Sequence, residues 1–363
     1  GREFGGREEV IGKDYLATPE DGKELLRILE SSPAKGSIEL IYTRRPDAYT
    51  SYMKEPGEAI VYATRKEDRL VGTQAALIRE VYIGGKESKA AYICGLKKDP
   101  EYSGTVGFSG GYRKALVRED VDYYFCSVVS DNDKVHQMFQ RKNPWMHMTP
   151  IQEYITYILT PRFYYKTKAT DLCFRQAKEE DKEKILAFLN SEGKKKDLFP
   201  VIKNVEDFHG LHIEDFYLLE KTGEILATAA LWNQTDYKQY VVKKYRGLMR
   251  LARFFNPVLS LLGYLKLPKE NKYLEFPMLS FFLCKDDNVE YYKTFLSGVN
   301  QEIKKTYDCY VIGMPKNYYG VDLFRKLPSI HFDTVLYSIQ FRFQKGNALE
   351  PDASNLYPEC GLL

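Results

Sequence analysis

The rhythm of apolar and polar positions changes several times along the chain, and each change predicts an element. In "DYYFCSVVSDNDKVHQMFQRK" at 122–142, a β-prone apolar run stops at Ser130-Asp131-Asn132-Asp133, and a short helical pattern carrying Phe139 follows. The plan returns in "DCYVIGMPKNYYGVDLFRK" at 308–326, where Asn317 and Phe324 keep the spacing of Asn132 and Phe139.

Two further landmarks recur in the same order. "YLATPEDGKELLRIL" at 15–29 and "FRQAKEEDKEKILAFL" at 174–189 each predict a short strand leading into a capped helix. In the first copy Thr18 suits the cap, Pro19 the first helical position, and Asp21 the third position beyond the cap. "EAIVYATRKEDRLVGTQAAL" at 58–77 and "EDFYLLEKTGEILATAAL" at 214–231 each predict a hairpin with a charged turn and a second strand ending in small residues.

The offset is 160 residues for the helices (Asp21 to Asp181), 155 for the hairpins (Thr73 to Thr228) and 185 for the asparagines. An insertion accounting for the jump must lie within 229–307, and its expected place is 236–272. The pattern therefore predicts a duplicated domain of the α/β (α+β) class. The expected units are 1–165 and 166–345, each a mixed, mostly antiparallel sheet flanked by helices, followed by a tail at 346–363.

The insertion interleaves Lys243, Lys244, Arg246, Arg250 and Arg253 with Leu248, Leu251, Phe254, Phe255, Leu259 and Leu262. The spacing is broadly helical and predicts a pair of amphipathic helices covering the second sheet or the junction. An anionic-substrate site, an RNA backbone surface and a membrane-surface helix are the sharper alternatives. The apolar stretch at 254–265 is broken by Pro257 and Gly263 and is shorter than the ~18 residues of a membrane span.

Composition narrows the class. The 363 residues suffice for two cores, and 44% apolar with 28% charged residues describes a globular chain. A net charge of +3 makes no case for nucleic acid by itself. The six cysteines are scattered without a C-x-x-C pair and fit reduced thiols in a cytoplasmic protein. No basic-then-apolar leader is seen at the start, so no signal peptide is expected.

The order strand, capped helix, hairpin, long strand, loop, helix, strand, Asn-helix resembles the GNAT fold of acyl-CoA N-acyltransferases, and it does so in both halves. The resemblance implies that a central strand splays from its neighbour and pairs with the pantetheine arm of acetyl-CoA. It also implies that the following loop and helix start hold the pyrophosphate, since unpaired N–H groups and the helix dipole attract an anion.

In the first half this strand and loop fall on "AAYICGLKKDPEYSGTVGFSGGYRKALV" at 90–117. The resemblance assigns CoA contacts to Ser103, Gly104, Thr105, Val106 and Gly107. Leu96 or Lys97 supplies the backbone oxyanion donor, and Asn132 contacts pantetheine or simply caps its helix. Phe139 takes the place of the family's tyrosine acid and cannot donate a proton. In the second half, Lys285-Asp286-Asp287-Asn288 lacks a glycine and sets carboxylates where a pyrophosphate would sit, so no CoA is expected there.

The implied reaction is acetyl transfer from acetyl-CoA to a small-molecule or peptide amine by direct attack. His136 and Glu80 are the candidate bases, each more often a packing or solvated residue; Cys94 is a weaker, covalent candidate. His209 and His212 read as ordinary loop histidines, and no metal is expected. A Fem-like transferase using aminoacyl-tRNA is the first rival, permitted by the basic insertion although nucleic acid is not favoured. A non-catalytic acyl-CoA- or partner-binding protein is the second.

Overall fold

A computed structural model describes residues 13–31, 36–104, 106, 117–162, 165–167, 171–342, 344 and 349–363. The first half runs β1 (Lys13–Leu16), α1 (Gly22–Glu30), β2 (Ile38–Thr43), α2 (Ala48–Met53), β3 (Glu58–Lys66), β4 (Arg69–Ile83), β5 (Lys86–Lys98), β6 (Tyr123–Val129), α3 (Asp133–Gln140) and β7 (Met146–Leu159). The second half runs β8 (Cys173–Gln176), α4 (Lys182–Gly193), β9 (Phe216–Lys221), β10 (Glu224–Trp232), β11 (Gln239–Tyr245), α5 (Leu248–Phe254) and α6 (Asn256–Leu261). It continues with β12 (Met278–Cys284), α7 (Val289–Ile303), β13 (Tyr310–Pro315), α8 (Asp322–Arg325) and β14 (Ser329–Phe341).

The repeat seen in the sequence is carried into local chemistry. The Asp21 carboxylate accepts the Thr18 backbone N–H at 2.9 Å, which fixes the entry to α1. Asp181 does the same for Lys178 at 2.8 Å, ahead of α4. Each of these carboxylates is also clamped by an arginine, Arg65 in the first half and Arg175 in the second.

The two halves share one twelve-stranded sheet of order β1-β3-β4-β5-β6-β14-β7-β13-β12-β10-β9-β8. Its centre is an exchange. β7 leaves the first half to pair antiparallel with β13, and β14 leaves the second to pair antiparallel with β6. The two exchanged strands pair with each other along most of their length.

Side-chain packing follows the exchange. Ile155, Tyr157, Ile158 and Leu159 of β7 join the second-half core, while Tyr337, Ile339 and Phe341 of β14 join a first-half core. Burying each such side chain contributes about 1.5–3 kcal/mol, so the exchange ties the halves together through both cores.

The expected insertion is only partly helical. Residues 239–245 form β11, which pairs with β2 of the first half from Gln239↔Thr43 to Tyr245↔Ile38. The run Tyr240-Val241-Val242 is rich in strand formers, and this local preference overrides the broadly helical spacing. α5 and α6 follow beyond this bridge.

Candidate functional site

β5 and β6 run parallel and are bonded to each other only over Ala90–Tyr92 and Tyr123–Phe125. Past that point they separate. β5 stays bonded to β4 as far as Lys98, and β6 stays bonded to β14 as far as Val129. The cleft between them is a splay whose two edges carry main-chain groups not bonded across it. Tyr92 and Ser127 close its apex with a hydroxyl pair at 2.6 Å.

A bulge bends β5 at the start of the splay. The register jumps from Ala75↔Cys94 to Thr73↔Lys97, so Gly95 and Leu96 together oppose Gln74. Gly95 has φ +62°, and a Cβ there would lie 2.3 Å from the Tyr52 hydroxyl oxygen. Glycine is therefore required twice over, by backbone conformation and by space. A glycine inside an apolar strand pattern is the sequence signal for such a bulge, and it marks a residue the sequence reading passed over.

Behind the bulge lies a buried charge cluster that no sequence motif announced. The Arg44 guanidinium stands 4.1 Å from the Tyr52 ring centroid and 2.9 Å from the Glu55 carboxylate. Arg79 and Lys238 reach the same carboxylate at 2.8 and 3.1 Å. Burial pushes the Glu55 pKa upward, but Lys238, Arg44 and Arg79 outweigh it and hold the group down at about 2. Burial dominates for Lys238, whose pKa falls to about 8 despite Glu55. The Cys94 thiol is pushed up to about 11 by burial, so it is not a thiolate nucleophile at neutral pH.

The residues expected to bind the donor spread over this cleft. Leu96 and Phe139 pack on one cluster with Ile93, Tyr124 and Cys126, so the bulge and α3 meet on the same face. Asn132 caps α3 by accepting the Val135 N–H at 3.4 Å. His136 uses both ring nitrogens, facing the Tyr337 hydroxyl at 2.5 Å and the Val129 carbonyl at 3.0 Å. The Lys97 ammonium donates to the Leu29 carbonyl at 3.0 Å, and desolvation lowers its pKa.

Ser103 is exposed, Gly104 faces the Tyr102 ring, and Val106 packs on Gly72. Thr105 and Gly107 lie outside the described residues. Glu80 lies apart: it pairs with Lys203 at 2.9 Å and stands opposite Lys89 in the sheet. That is five residues from Cys94, or about 17 Å of strand. His209 bonds Asp236 at 2.6 Å, and no metal-ligand cluster occurs among the described residues.

The second half repeats the splay and fills it. β12 and β13 are parallel and share a single register pair, Met278↔Val311. Phe281 and Phe282 together oppose Ala229 as a bulge, and Phe281 has φ +57°. Here residues 358–361 enter. The Glu359 carboxylate accepts the Phe281 N–H at 2.7 Å and the Gly361 N–H at 3.1 Å. Pro358 accepts from the Tyr154 hydroxyl at 3.1 Å, and the Cys360 thiol fills the space that a side chain at Gly313 would need.

No family model matches the sequence, and no curated protein matches it in sequence. The fold does have solved counterparts. The chain has the GNAT fold, as its likeness to solved N-acyltransferases over most of its length shows. Saccharomyces cerevisiae N-myristoyltransferase with bound myristoyl-CoA is similar to this chain at 11% identity, covering 96% of this chain and 89% of its own, with a TM-score of 0.56. A second structure of that yeast enzyme, with bound myristoyl-CoA and inhibitors, gives 10% identity, 96% and 86% coverage and a TM-score of 0.55. A GCN5-related N-acetyltransferase from Anabaena variabilis gives 9% identity, 90% and 72% coverage and a TM-score of 0.50.

Proposed function

We propose that this chain is an acyl-CoA-dependent N-acyltransferase whose donor enters the first splay. One observation carries the reading. The bulge N–H of the second splay is taken by the chain's own Glu359, whereas no side chain among the described residues accepts from Gly95 or Leu96. The donor-accepting edge is kept in one half and closed in the other.

In this reading the pantetheine arm pairs with the free edge of β5, and Asn132 contacts it in addition to capping α3. The pyrophosphate lies at Ser103–Gly107. An amine of a small molecule or peptide attacks the thioester carbonyl, a C–N bond forms, the C–S bond breaks, and CoA leaves as the thiol after taking up a proton. Backbone N–H groups at Gly95–Lys97 stabilise the oxyanion without having to reorganise. His136 is preferred to Glu80 as the base, because it lies with Asn132 and Phe139 beside the splay. The unit 1–165 then carries donor chemistry, and 166–345 shapes the acceptor side.

Acetyl-CoA is the donor proposed first. The bound myristoyl-CoA of the yeast enzyme makes a long acyl chain the second to try. Titration calorimetry with acetyl-CoA, myristoyl-CoA and CoA tests the reading: one site per chain, lost in a folded Gly104→Trp variant, supports it. No heat with any of the three at millimolar ligand overturns it.

A further inference from the structure

We propose that the tip formed by α5, α6 and the turn after them seats in the surface of an anionic lipid bilayer. Large apolar side chains here point to solvent. Leu248 is 83% exposed, Phe254 77%, Leu261 79% and Leu262 70%, with Leu251 and Val258 exposed beside them. Soluble surfaces seldom group such residues, and contiguous exposed apolar patches mark interaction sites.

The tip is held in shape. Buried Asn256 donates to the Leu265 carbonyl at 2.8 Å and accepts the Leu267 N–H at 2.9 Å, pinning the helix junction to the returning chain. The Tyr245 hydroxyl donates to the Pro268 carbonyl at 2.6 Å, and the base is rooted in the β2–β11 pair. The apolar side chains are thus presented outward by a fixed scaffold.

Charge selects the occupant. From Arg246 to Lys272, past β11, the only acid is Glu270, against six lysines and arginines. Arg246 and Lys266 have carboxylate partners in Glu39 and Asp308, but no such partner is found among the described residues for Arg250, Lys269 or Lys272. Arg250, Leu251, Arg253 and Phe254 line a cleft of about 690 Å³ with Gly247, so charged and apolar side chains meet there as a phosphate carried on an apolar tail would require. A second copy of the chain would bring two basic rims together, which like-charge repulsion opposes. No helix among the described residues is long and apolar enough to cross a membrane, so the tip lies in the interface.

Co-sedimentation with phosphatidylcholine vesicles, with and without about one-third phosphatidylglycerol, tests this. The protein pellets with the anionic vesicles only, and rising salt releases it. Arg250→Ala weakens partitioning about five-fold, as expected for one cation near a charged surface. Phe254→Ser combined with Leu261→Ser abolishes pelleting with an unchanged melting temperature, since both side chains are already solvated. Failure to pellet with anionic vesicles at low salt overturns the proposal. So does a wild-type dimer in solution that the double variant converts to monomer.

Discussion

The carboxylate of Glu359 accepts a hydrogen bond from the backbone N–H of Phe281 at 2.7 Å, so the segment around Glu359 closes the bulge of the second splay. Phe281 holds φ +57°, which strains a side-chain-bearing residue, and the surrounding contacts must hold it there. Its ring stacks on Trp232 at 5.7 Å and on Phe216 at 6.2 Å. The equivalent position in the first half is Gly95, which needs no such support. The two bulges thus differ: one is braced by aromatic stacking and a carboxylate, the other by a glycine.

Removing the plug should cost stability while leaving the first splay intact. Glu359→Ala strands two buried N–H groups, those of Phe281 and Gly361, at about 1–3 kcal/mol each before relaxation. Urea denaturation should show a total loss of roughly 2–4 kcal/mol. Acyl-CoA affinity measured on the folded variant should be unchanged. A loss of affinity matching the loss of stability would place donor binding in the second half instead.

Gly95 and Tyr52 should behave as one unit. Gly95→Ala meets the Tyr52 hydroxyl oxygen at 2.3 Å and also demands a left-handed backbone. The backbone part is about 1–2 kcal/mol, and the clash adds to it. Tyr52→Phe removes the atom in the way, because the next ring carbon lies at 3.5 Å. The double variant should therefore be more stable than the sum of the single changes predicts, which a double-mutant cycle by thermal or urea unfolding measures. Strict additivity would mean that the bulge relaxes away from Tyr52.

Much of this fold is legible in the sequence, because its caps and hairpins are written in local signals. Asp21 and Asp181 are cap partners, and the two hairpins alternate around charged turns. The exchange of β7 and β14 has no such signal: each strand has the same apolar pattern whichever core it faces, and only tertiary pairing chooses. The bulge at Gly95 was visible as a glycine within a strand. Its partner at Phe281 was not, since nothing about a phenylalanine suggests a positive φ. The cluster of Arg44, Glu55, Arg79 and Lys238 joins residues up to 194 positions apart and becomes a unit only once β2 meets β11. Candidates that lay near each other along the chain, Asn132, His136 and Phe139, do stand together beside the cleft, whereas Glu80 does not.

Asn132 has a structural duty already, so its proposed second duty can be separated from it. Losing the bond to the Val135 N–H, at a long 3.4 Å, should cost about 0.5–1 kcal/mol as a weak cap. Asn132→Asp keeps the acceptor, and therefore the cap, but lacks the amide that would donate to pantetheine. The aspartate variant should then keep wild-type stability and bind acyl-CoA several-fold more weakly. Equal affinity in both proteins, measured by calorimetry, would leave Asn132 as a cap alone.

The two buried glutamates should bend stability in opposite directions with pH. Glu55 is held at about 2, below the ordinary ~4.3 of a free carboxylate. Folding therefore favours its ionised form, and its contribution is full above the ordinary value and lost as pH falls toward 2. Burial raises Glu359 instead. Folding favours its protonated form, so the native state loses stability as pH rises from the ordinary value through the folded one. Glu55→Gln, which leaves three buried cations without a carboxylate, should destabilise by about 3–5 kcal/mol at neutral pH, with the deficit shrinking below about pH 4. Glu359→Gln should show the reverse trend, its deficit against wild type shrinking as pH rises above about 4. Urea unfolding of the three proteins across this range decides it. Two deficits that move together with pH would mean that one of these carboxylates does not titrate in the environment described.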